Sequence, residues 1–89
     1  MKIRRHKHFL KDFANVKITD EQFEKLVSYI NNLKNDLPLP PESRDHALKG
    51  EWQDFRECHL GGDMLLVYRE TDSEIVLARL GTHNQIFNR

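Results

Sequence analysis

The chain has 89 residues, and its 14 Lys and Arg balance 14 Asp and Glu, so the formal net charge at pH 7 is zero. An apolar fraction of 38% and a charged fraction of 31% are typical of a soluble globular protein and exclude a disordered one. The sequence contains no apolar run near the ~20 residues of a membrane span, and its basic start lacks the apolar stretch of a secretory signal. We therefore expect one soluble domain spanning residues 1–89.

The first predicted elements are a short strand and two helices. KIRR, residues 2–5, predicts the strand, and Phe9, Phe13 and Val16 follow at helical spacing. In TDEQ, Thr19 and Gln22 predict a capping box at the start of a long second helix. The proline-rich run PLPP, which begins at residue 38, ends it. The apolar stripe expected to face the core is Phe23, Leu26, Val27, Ile30, Leu33 and Leu37.

Three strand-like runs follow an irregular segment that contains RDHALKGEW. They are DFRECHL, MLLVYRE and EIVLARL, separated by the turn signals Gly61-Gly62-Asp63 and TDS. Short turns of this kind join antiparallel neighbours. The order of elements therefore predicts an α+β fold, with two N-terminal helices packed on one face of a small antiparallel sheet.

The charges are unevenly distributed along the chain. Residues 1–44 hold nine Lys and Arg against six Asp and Glu, whereas residues 45–89 hold five against eight. The first eleven residues contain several cations and no acid. Such a patch attracts phosphates or an acidic partner, although a solvated helix face has the same composition.

Five histidines are many for 89 residues, and three of them lie in loops or at element ends, where sites are commonly built. His46 lies in a loop, His59 ends a strand, and His83 follows the last strand. Asp63 lies in the turn just after His59. The two histidines of the basic N-terminal segment are expected at the surface. A single loop histidine is usually a cap or a surface residue, but three with an aspartate favour proton-transfer chemistry.

Zinc binding is the alternative, because three histidines with Cys58 or Asp63 would supply enough ligands. The spacing argues against it, since no two candidate ligands form a short-range pair. Cys58 and His59 are adjacent on a strand and so point to opposite faces. We expect no metal and no other cofactor. The lone Cys58 predicts a small buried thiol, no disulfide and a reducing cytoplasm.

Beyond Leu37 the sequence resembles the YafQ family of toxins, a branch of the RelE-like superfamily of bacterial type II toxin–antitoxin systems. The resemblance lies in LPLPPESRDHALKG, FRECHLGGDMLLVY and RLGTHNQIF, which occur in the family's order and spacing. It implies a RelE-like fold and an endoribonuclease that cuts messenger RNA in the ribosomal decoding site without a metal. It also implies a cognate antitoxin. A non-catalytic module of the same fold that binds RNA or antitoxin is the alternative.

The resemblance assigns functional positions to His46, His59, Asp63, His83 and Phe87. Metal-free cleavage needs a base for the 2′-hydroxyl, an acid for the leaving 5′-oxygen and cations for the phosphate. Histidine suits either proton-transfer role. The four polar residues of this set are therefore the candidate catalytic residues, with acid and base not distinguished by the sequence.

Three cations are candidates for binding the RNA backbone: Lys49 in the loop with His46, and Arg56 and Arg79 on strands. An ion pair with a strand carboxylate such as Glu57 would explain Arg79 equally well. We expect the antitoxin, an acidic amphipathic segment, to cover the cleft and the basic surface around Arg4, Arg5 and Lys11.

The tail RLGTHNQIF is more apolar than chain ends usually are. We expect Ile86 to pack back onto the fold and Phe87 to stack on an unpaired base, with a second tail anchor as the alternative for Phe87. Many relatives carry tryptophan where this chain has Met64. Methionine offers less stacking area, so a base-stacking role at this position is not expected to carry over unchanged.

Overall fold

The structure, a computed structural model, describes residues 1–87. One strand and two helices come first, and the remaining strands and a short third helix follow. Two single turns of 3₁₀ helix, Pro41–Ser43 and Gly50–Trp52, flank the second strand. The elements are β1 (Lys2–Arg5), α1 (Lys7–Asn15), α2 (Asp20–Lys34), β2 (His46–Ala47), β3 (Arg56–Gly61), β4 (Met64–Glu70), β5 (Glu74–Thr82) and α3 (His83–Phe87).

The five strands form one sheet in the order β1-β5-β4-β3-β2. β2 to β5 pair with antiparallel neighbours, as predicted, and the α+β class is confirmed. The expectation of a wholly antiparallel sheet is wrong at one edge, because β1 pairs parallel with β5. This pairing joins residues more than 70 positions apart, such as Ile3 and Ile75. Local turn signals predict hairpins and carry no information about so distant a partner.

The capping box at the start of α2 is confirmed. The Gln22 backbone N–H donates to the Thr19 hydroxyl at 3.1 Å, and the Gln22 side chain accepts from the Thr19 N–H at 3.0 Å. The Gln22 side chain also donates to the Gly61 carbonyl at 2.9 Å. The start of the helix is thereby tied to the β3–β4 turn that carries Asp63.

The face of α2 that packs on the sheet differs from the predicted stripe. Leu26, Tyr29 and Leu33 are buried, and Ile30 packs at the edge of the core. The predicted core residues Phe23, Val27 and Leu37 are 43%, 52% and 53% exposed. α2 carries more apolar residues than the sheet can cover, and Leu37 lies beyond the end of the helix at Lys34.

Apolar side chains cover both faces of the sheet. On the face under α1 and α2, which we call the helix face, Leu66 and Tyr68 of β4 pack with residues of the helices. On the opposite face, which we call the site face, Leu65 and Val67 of β4 pack with Ala78, Ile86 and the partly buried Leu48, Trp52, Phe55 and Phe87. A strand buried on both sides reads as a continuous apolar run, which explains MLLVYRE.

The tail turns directly from β5 into α3. The Thr82 N–H donates to the Gln85 side chain at 2.9 Å, and the Gln85 N–H donates to the Thr82 hydroxyl at 3.2 Å. This is a second capping box, and THNQ has its sequence signature. The helix was not predicted, but the anchoring role of Ile86 is confirmed, because this side chain is only 6% exposed.

A helix suited to crossing the lipid bilayer is not found among residues 1–87, since each is too short or too polar.

Candidate active site

The three predicted histidines meet at one end of the site face. His46 on β2 lies opposite Glu57 on β3, and His59 follows two residues later on the same face of that strand. His83 reaches the same place from the start of α3. The ring centroids of His46 and His59 are 6.3 Å apart, and those of His59 and His83 are 6.0 Å apart. We call the three histidines with Glu57 and Asp63 the histidine cluster.

Asp63 orients His83. The Asp63 carboxylate accepts from Nδ1 of His83 at 2.7 Å. Gly61 and Gly62 shape the turn before Asp63 with φ of 116° and 58°, a backbone region that residues with a Cβ rarely adopt. With the proton of Nδ1 held by Asp63, Nε2 of His83 carries the free lone pair of the neutral ring. Nε2 lies 3.8 Å from the Glu57 carboxylate.

Glu57 is the central residue that the sequence reasoning missed. It is only 5% exposed, and its Oε1 lies 3.0 Å from Nε2 of His46. Its Oε2 has no hydrogen-bond partner among residues 1–87. The signal was present, since Glu57 precedes His59 by two residues on a strand and must share its face. From sequence, this carboxylate is expected only as an ion-pair partner of Arg79, and that pairing is not formed.

His46 and Glu57 are placed to share a proton. Nδ1 of His46 lies 2.7 Å from the Arg44 carbonyl oxygen, which can only accept. Nε2 faces the Glu57 carboxylate. Both contacts are hydrogen bonds only if His46 is doubly protonated or if Glu57 carries the second proton. The geometry therefore suits a proton shared between His46 and Glu57 at the centre of the cluster.

The hydrogen bond of His59 differs from those of His46 and His83, because its Nδ1 faces a donor. A guanidinium nitrogen of Arg44 lies 3.1 Å from Nδ1 of His59, and because arginine only donates, Nδ1 accepts. Partial burial and then the Arg44 charge lower the pKa of His59. The ring is therefore neutral at pH 7 with its proton on Nε2. Arg44, which adopts a left-handed conformation with φ of 47°, was not predicted as a site residue.

The structure does not bring the two predicted arginines into the cluster. Arg56 alternates with Glu57 and lies on the helix face, where it donates to Asp45 at 3.2 and 3.3 Å. Hydrogen bonding to Asp45 raises the pKa of Arg56. Arg79 donates to Asp12 at 2.7 and 3.2 Å, so its ion-pair partner is Asp12 and not Glu57.

The third predicted cation, Lys49, is exposed and immediately precedes the 3₁₀ turn Gly50–Trp52. It makes no side-chain hydrogen bond or ion pair with residues 1–87, so it is available to a ligand. The RNA-binding roles of Lys49, Arg56 and Arg79 remain predictions.

Phe87 lies beside the cluster. Its ring centroid is 6.2 Å from that of His83 and 5.4 Å from that of Trp52. It is half-buried, and its ring packs edge-to-face on Trp52. Met64 is 5% exposed and packs on the helix face, and so offers no stacking surface.

The family of the chain follows from its sequence as a whole. Residues 1–88 match the family model described as the bacterial toxin of the type II toxin–antitoxin system, YafQ. The chain belongs to the YafQ family. The mRNA interferase toxin YafQ of Escherichia coli (strain K12) is 40% identical over 55 residues, which cover 62% of this chain and 60% of that protein. The resemblance seen in the sequence is thereby confirmed.

Solved structures of similar toxins share the fold. A copper-bound mutant toxin from Helicobacter pylori is 40% identical, with a TM-score of 0.84 over 97% of this chain and 98% of that one. The E. coli DinJ–YafQ complex contains a chain that is 32% identical, with a TM-score of 0.82 and 97% of each chain covered.

The histidine cluster also contains the donor set of a metal site. Ligand atoms of His46, Glu57 and His59 lie within 4.8 Å of one another. Two histidines and a glutamate form one of the known ligand sets of catalytic zinc. The spacing argument against a metal overlooked Glu57, which pairs with the two histidines through sheet register. Cys58 takes no part, because it is buried on the helix face, and burial raises the pKa of its thiol.

Proposed function

We propose that the chain is an endoribonuclease toxin that cleaves messenger RNA on the ribosome, in the cytoplasm, by metal-free general acid–base catalysis. The single observation that carries the proposal is the histidine cluster, in which Asp63 accepts from His83, Glu57 contacts His46, and the ring of His59 lies within 6.3 Å of both other rings. Binding alone does not require so many groups that exchange protons near neutrality. Family membership and the name of the E. coli relative support messenger RNA as the substrate.

His83 is proposed as the general base. Nε2 takes the proton of the 2′-hydroxyl, and the 2′-oxygen then bonds to the adjacent phosphorus. Asp63 holds the ring in the tautomer that leaves Nε2 free and stabilises the imidazolium that forms, the arrangement by which carboxylates orient catalytic histidines elsewhere.

The His46–Glu57 pair is proposed as the general acid. As the bond from phosphorus to the 5′-oxygen breaks, the shared proton passes to that oxygen. The products are a 2′,3′-cyclic phosphate and a 5′-hydroxyl. The neutral His59 donates Nε2–H to a non-bridging phosphate oxygen, with Arg44 behind it as the nearest positive charge.

RNA positioning is proposed for Phe87 and Lys49. Phe87 stacks on a base next to the cut, and Lys49 binds the backbone. Arg56 and Arg79 each bind an internal carboxylate, so contact with phosphate requires that partner to be exchanged. Arg44 lies closer to the cluster and is the better candidate for charge stabilisation.

A divalent ion at His46, Glu57 and His59 would act as a Lewis acid on phosphate oxygens. A metal ion would bind the same two atoms that share the proton of the proposed acid step, because Nε2 of His46 lies 3.0 Å from Oε1 of Glu57. Metal binding and acid catalysis by this pair therefore compete. We expect the active form to be the metal-free one.

The antitoxin surface is proposed to be a groove between α1, α2 and β1. Leu10, Phe13, Phe23 and Val27 are exposed along this groove of about 270 Å³, and Arg5 lies at its edge. Apolar residues left exposed in this way mark partner sites. The E. coli relative was solved with the antitoxin DinJ. An acidic amphipathic segment fits this groove; Arg4, which we grouped with Arg5, lines a different groove.

The proposal is tested with purified protein and ribosomes programmed with a defined message. We expect cleavage within the decoding-site codon, and no cleavage when the ribose before the cut lacks its 2′-hydroxyl. Binding to programmed ribosomes without any cut would support the alternative, a non-catalytic module. Cleavage of the 2′-deoxy message would contradict the proposed attack.

A further inference from the structure

A second groove, of about 310 Å³, lies on the site face towards β1. Its floor is formed by Val76 and Ala78 of β5, and its walls include Trp52 and Phe55. Arg69 of β4 is paired with Val76 and therefore projects from the same face. This cationic groove is separate from the apolar groove between α1 and α2, because Arg4 and Arg5 are adjacent on β1 and line different grooves.

The cationic groove carries positive charge that the fold does not fully neutralise. Arg4, Arg69 and Arg79 line it, and no acidic residue does. Arg4 pairs with Glu74, and Arg79 pairs with Asp12. Arg69 makes no side-chain hydrogen bond or ion pair with any residue from 1 to 87. A guanidinium without an internal carboxylate is suited to bidentate binding of phosphate oxygens.

Aromatic side chains connect this groove to the histidine cluster. Trp52 contacts Phe55 edge-to-face at 5.3 Å between ring centroids. On its other side Trp52 contacts Phe87 at 5.4 Å, and Phe87 lies 6.2 Å from His83. Trp52, which lines the groove, therefore contacts Phe87, and Phe87 in turn lies beside His83, the proposed base.

We propose that the cationic groove binds the single-stranded RNA that continues from the cleaved phosphate, with a phosphate on Arg69 and a base on Trp52. Sites for single-stranded nucleic acid combine cations along the backbone with aromatic rings under the bases. An antitoxin segment would bury less apolar surface here, because the exposed apolar side chains lie in the other groove. This inference rests on the proposed function and extends its substrate site.

The test uses a labelled RNA of about ten nucleotides with 2′-O-methyl groups throughout, which binds but cannot be cut. Affinity is measured by fluorescence anisotropy at several salt concentrations. Arg69→Gln should lower affinity several-fold and reduce the slope of log affinity against log salt by ~0.7, the value for one phosphate contact on a single strand. Trp52→Ala should lower affinity by about 5–150-fold, the effect of one lost stack, with the slope unchanged.

Three controls make the result specific. Arg5→Gln removes the same charge from the neighbouring strand position on the helix side and should leave RNA affinity unchanged. Trp52→Phe keeps an aromatic ring and should retain most of the affinity if Trp52→Ala proves unstable in melting curves. Asn84→Ala, an exposed change on α3, should bind the methylated RNA as tightly as the parent.

The inference is overturned if the parent does not bind the RNA, or if Arg69→Gln and Trp52→Ala both bind it with parental affinity and salt slope. A loss of antitoxin affinity in Arg69→Gln, with RNA affinity intact, would assign the groove to the antitoxin. Failure of the proposed function looks different. In that case Arg69 and Trp52 would still govern RNA binding, but programmed ribosomes would show no cleavage.

Discussion

At the scale of single residues, the chemistry depends on which atom of each imidazole carries a proton. His83 donates to Asp63, His59 accepts from Arg44, and His46 contacts an acceptor at each nitrogen. The three rings are therefore inequivalent although they lie side by side. The sequence and its family resemblance predicted the three histidines, but not their states, because those are set by neighbours that only the folded register supplies.

The base role of His83 predicts a large loss of cleavage on substitution. His83→Gln should retain the Asp63 contact yet lower cleavage on programmed ribosomes by ~10²–10⁴-fold, the usual contribution of one general base. Asn84→Ala, an exposed neighbour on α3, is the matched control and should cleave like the parent. Melting curves should show all of these proteins folded. Parental cleavage by His83→Gln would move the base role to His46 or His59.

Phe87→Leu belongs to the same experiment, since leucine keeps an apolar contact with Trp52. Cleavage should fall by an amount equivalent to a stack of ~1–3 kcal/mol, while the pH profile keeps its shape. A large loss of thermal stability instead would make Phe87 a tail anchor.

The lowered pKa of His59 predicts that the stability of the fold depends on pH. The pKa of this histidine is lowered in the folded protein, whereas in the unfolded chain it is ~6.5. Below pH ~6.5 the unfolded state binds a proton that the folded state does not, so stability falls as pH falls and is unaffected by this group above that value. The stability of the parent relative to His59→Gln should therefore decrease between pH 7.5 and 5. A difference that stays constant or increases in acid would contradict the lowered pKa.

If His46 and Glu57 share the proton of the acid step, metal ions that bind this pair should inhibit cleavage. A chelator should leave cleavage and the melting temperature unchanged. Added Cu²⁺ or Zn²⁺ should inhibit cleavage reversibly, because it displaces the proton that the acid step uses. Glu57→Gln provides the control, since it weakens the donor set and should bind metal less tightly. Activity that chelation abolishes and zinc restores would overturn the metal-free mechanism.

At the scale of elements, short stretches of sequence predicted helix starts and strands well, but they did not predict contacts between distant parts of the chain. The Thr19–Gln22 capping box and the three strands after residue 54 were visible in short windows of sequence. The second capping box, at Thr82, has the same signature, but the preceding strand dominates that window of sequence. Glu57 shares a strand face with His59 by its spacing alone, whereas its contact with His46 depends on strand pairing. Arg44 could not be placed in the site from sequence, because its position depends on one left-handed residue.

Neighbouring positions on α2 test which face packs on the sheet. Leu26 is 3% exposed and Val27 is 52% exposed. Leu26→Asp should lower the free energy of unfolding by at least ~3 kcal/mol, because an unpaired charge would enter the core. Val27→Asp should change it by no more than ~0.5 kcal/mol, as surface substitutions do. Urea unfolding measures both, and equal effects would refute the assigned face.

At the scale of the whole molecule, the site face and the helices on the opposite face of the sheet present different surfaces. The site face presents the histidine cluster and the cationic groove, while the helices on the other face expose an apolar groove. The proposed catalysis and the proposed antitoxin binding therefore draw on different side chains, although one partner can cover both faces by wrapping the edge of the sheet.

This division predicts that antitoxin affinity can be lost without loss of cleavage. Val27→Asp places a negative charge in the apolar groove and should weaken binding of an acidic antitoxin at least tenfold, while ribosomal cleavage stays at the parental rate. Isothermal titration with the cognate antitoxin measures the first effect. Lys17→Gln, an exposed change outside both grooves, is the control. Parental affinity in Val27→Asp would place the antitoxin elsewhere.

The parallel pairing of β1 with β5 has a consequence for the order of folding. Every residue of the histidine cluster lies between positions 46 and 83, in β2, β3, the β3–β4 turn and the start of α3, whereas β1 must close a loop of more than 70 residues to reach β5. Local contacts form faster than distant ones because less chain entropy is lost on closing them. The strands that carry the histidine cluster can thus assemble before β1 docks, and Arg4 completes the cationic groove last. Fraying of β1 would then loosen the hold on RNA while the proton-transfer groups stay in register.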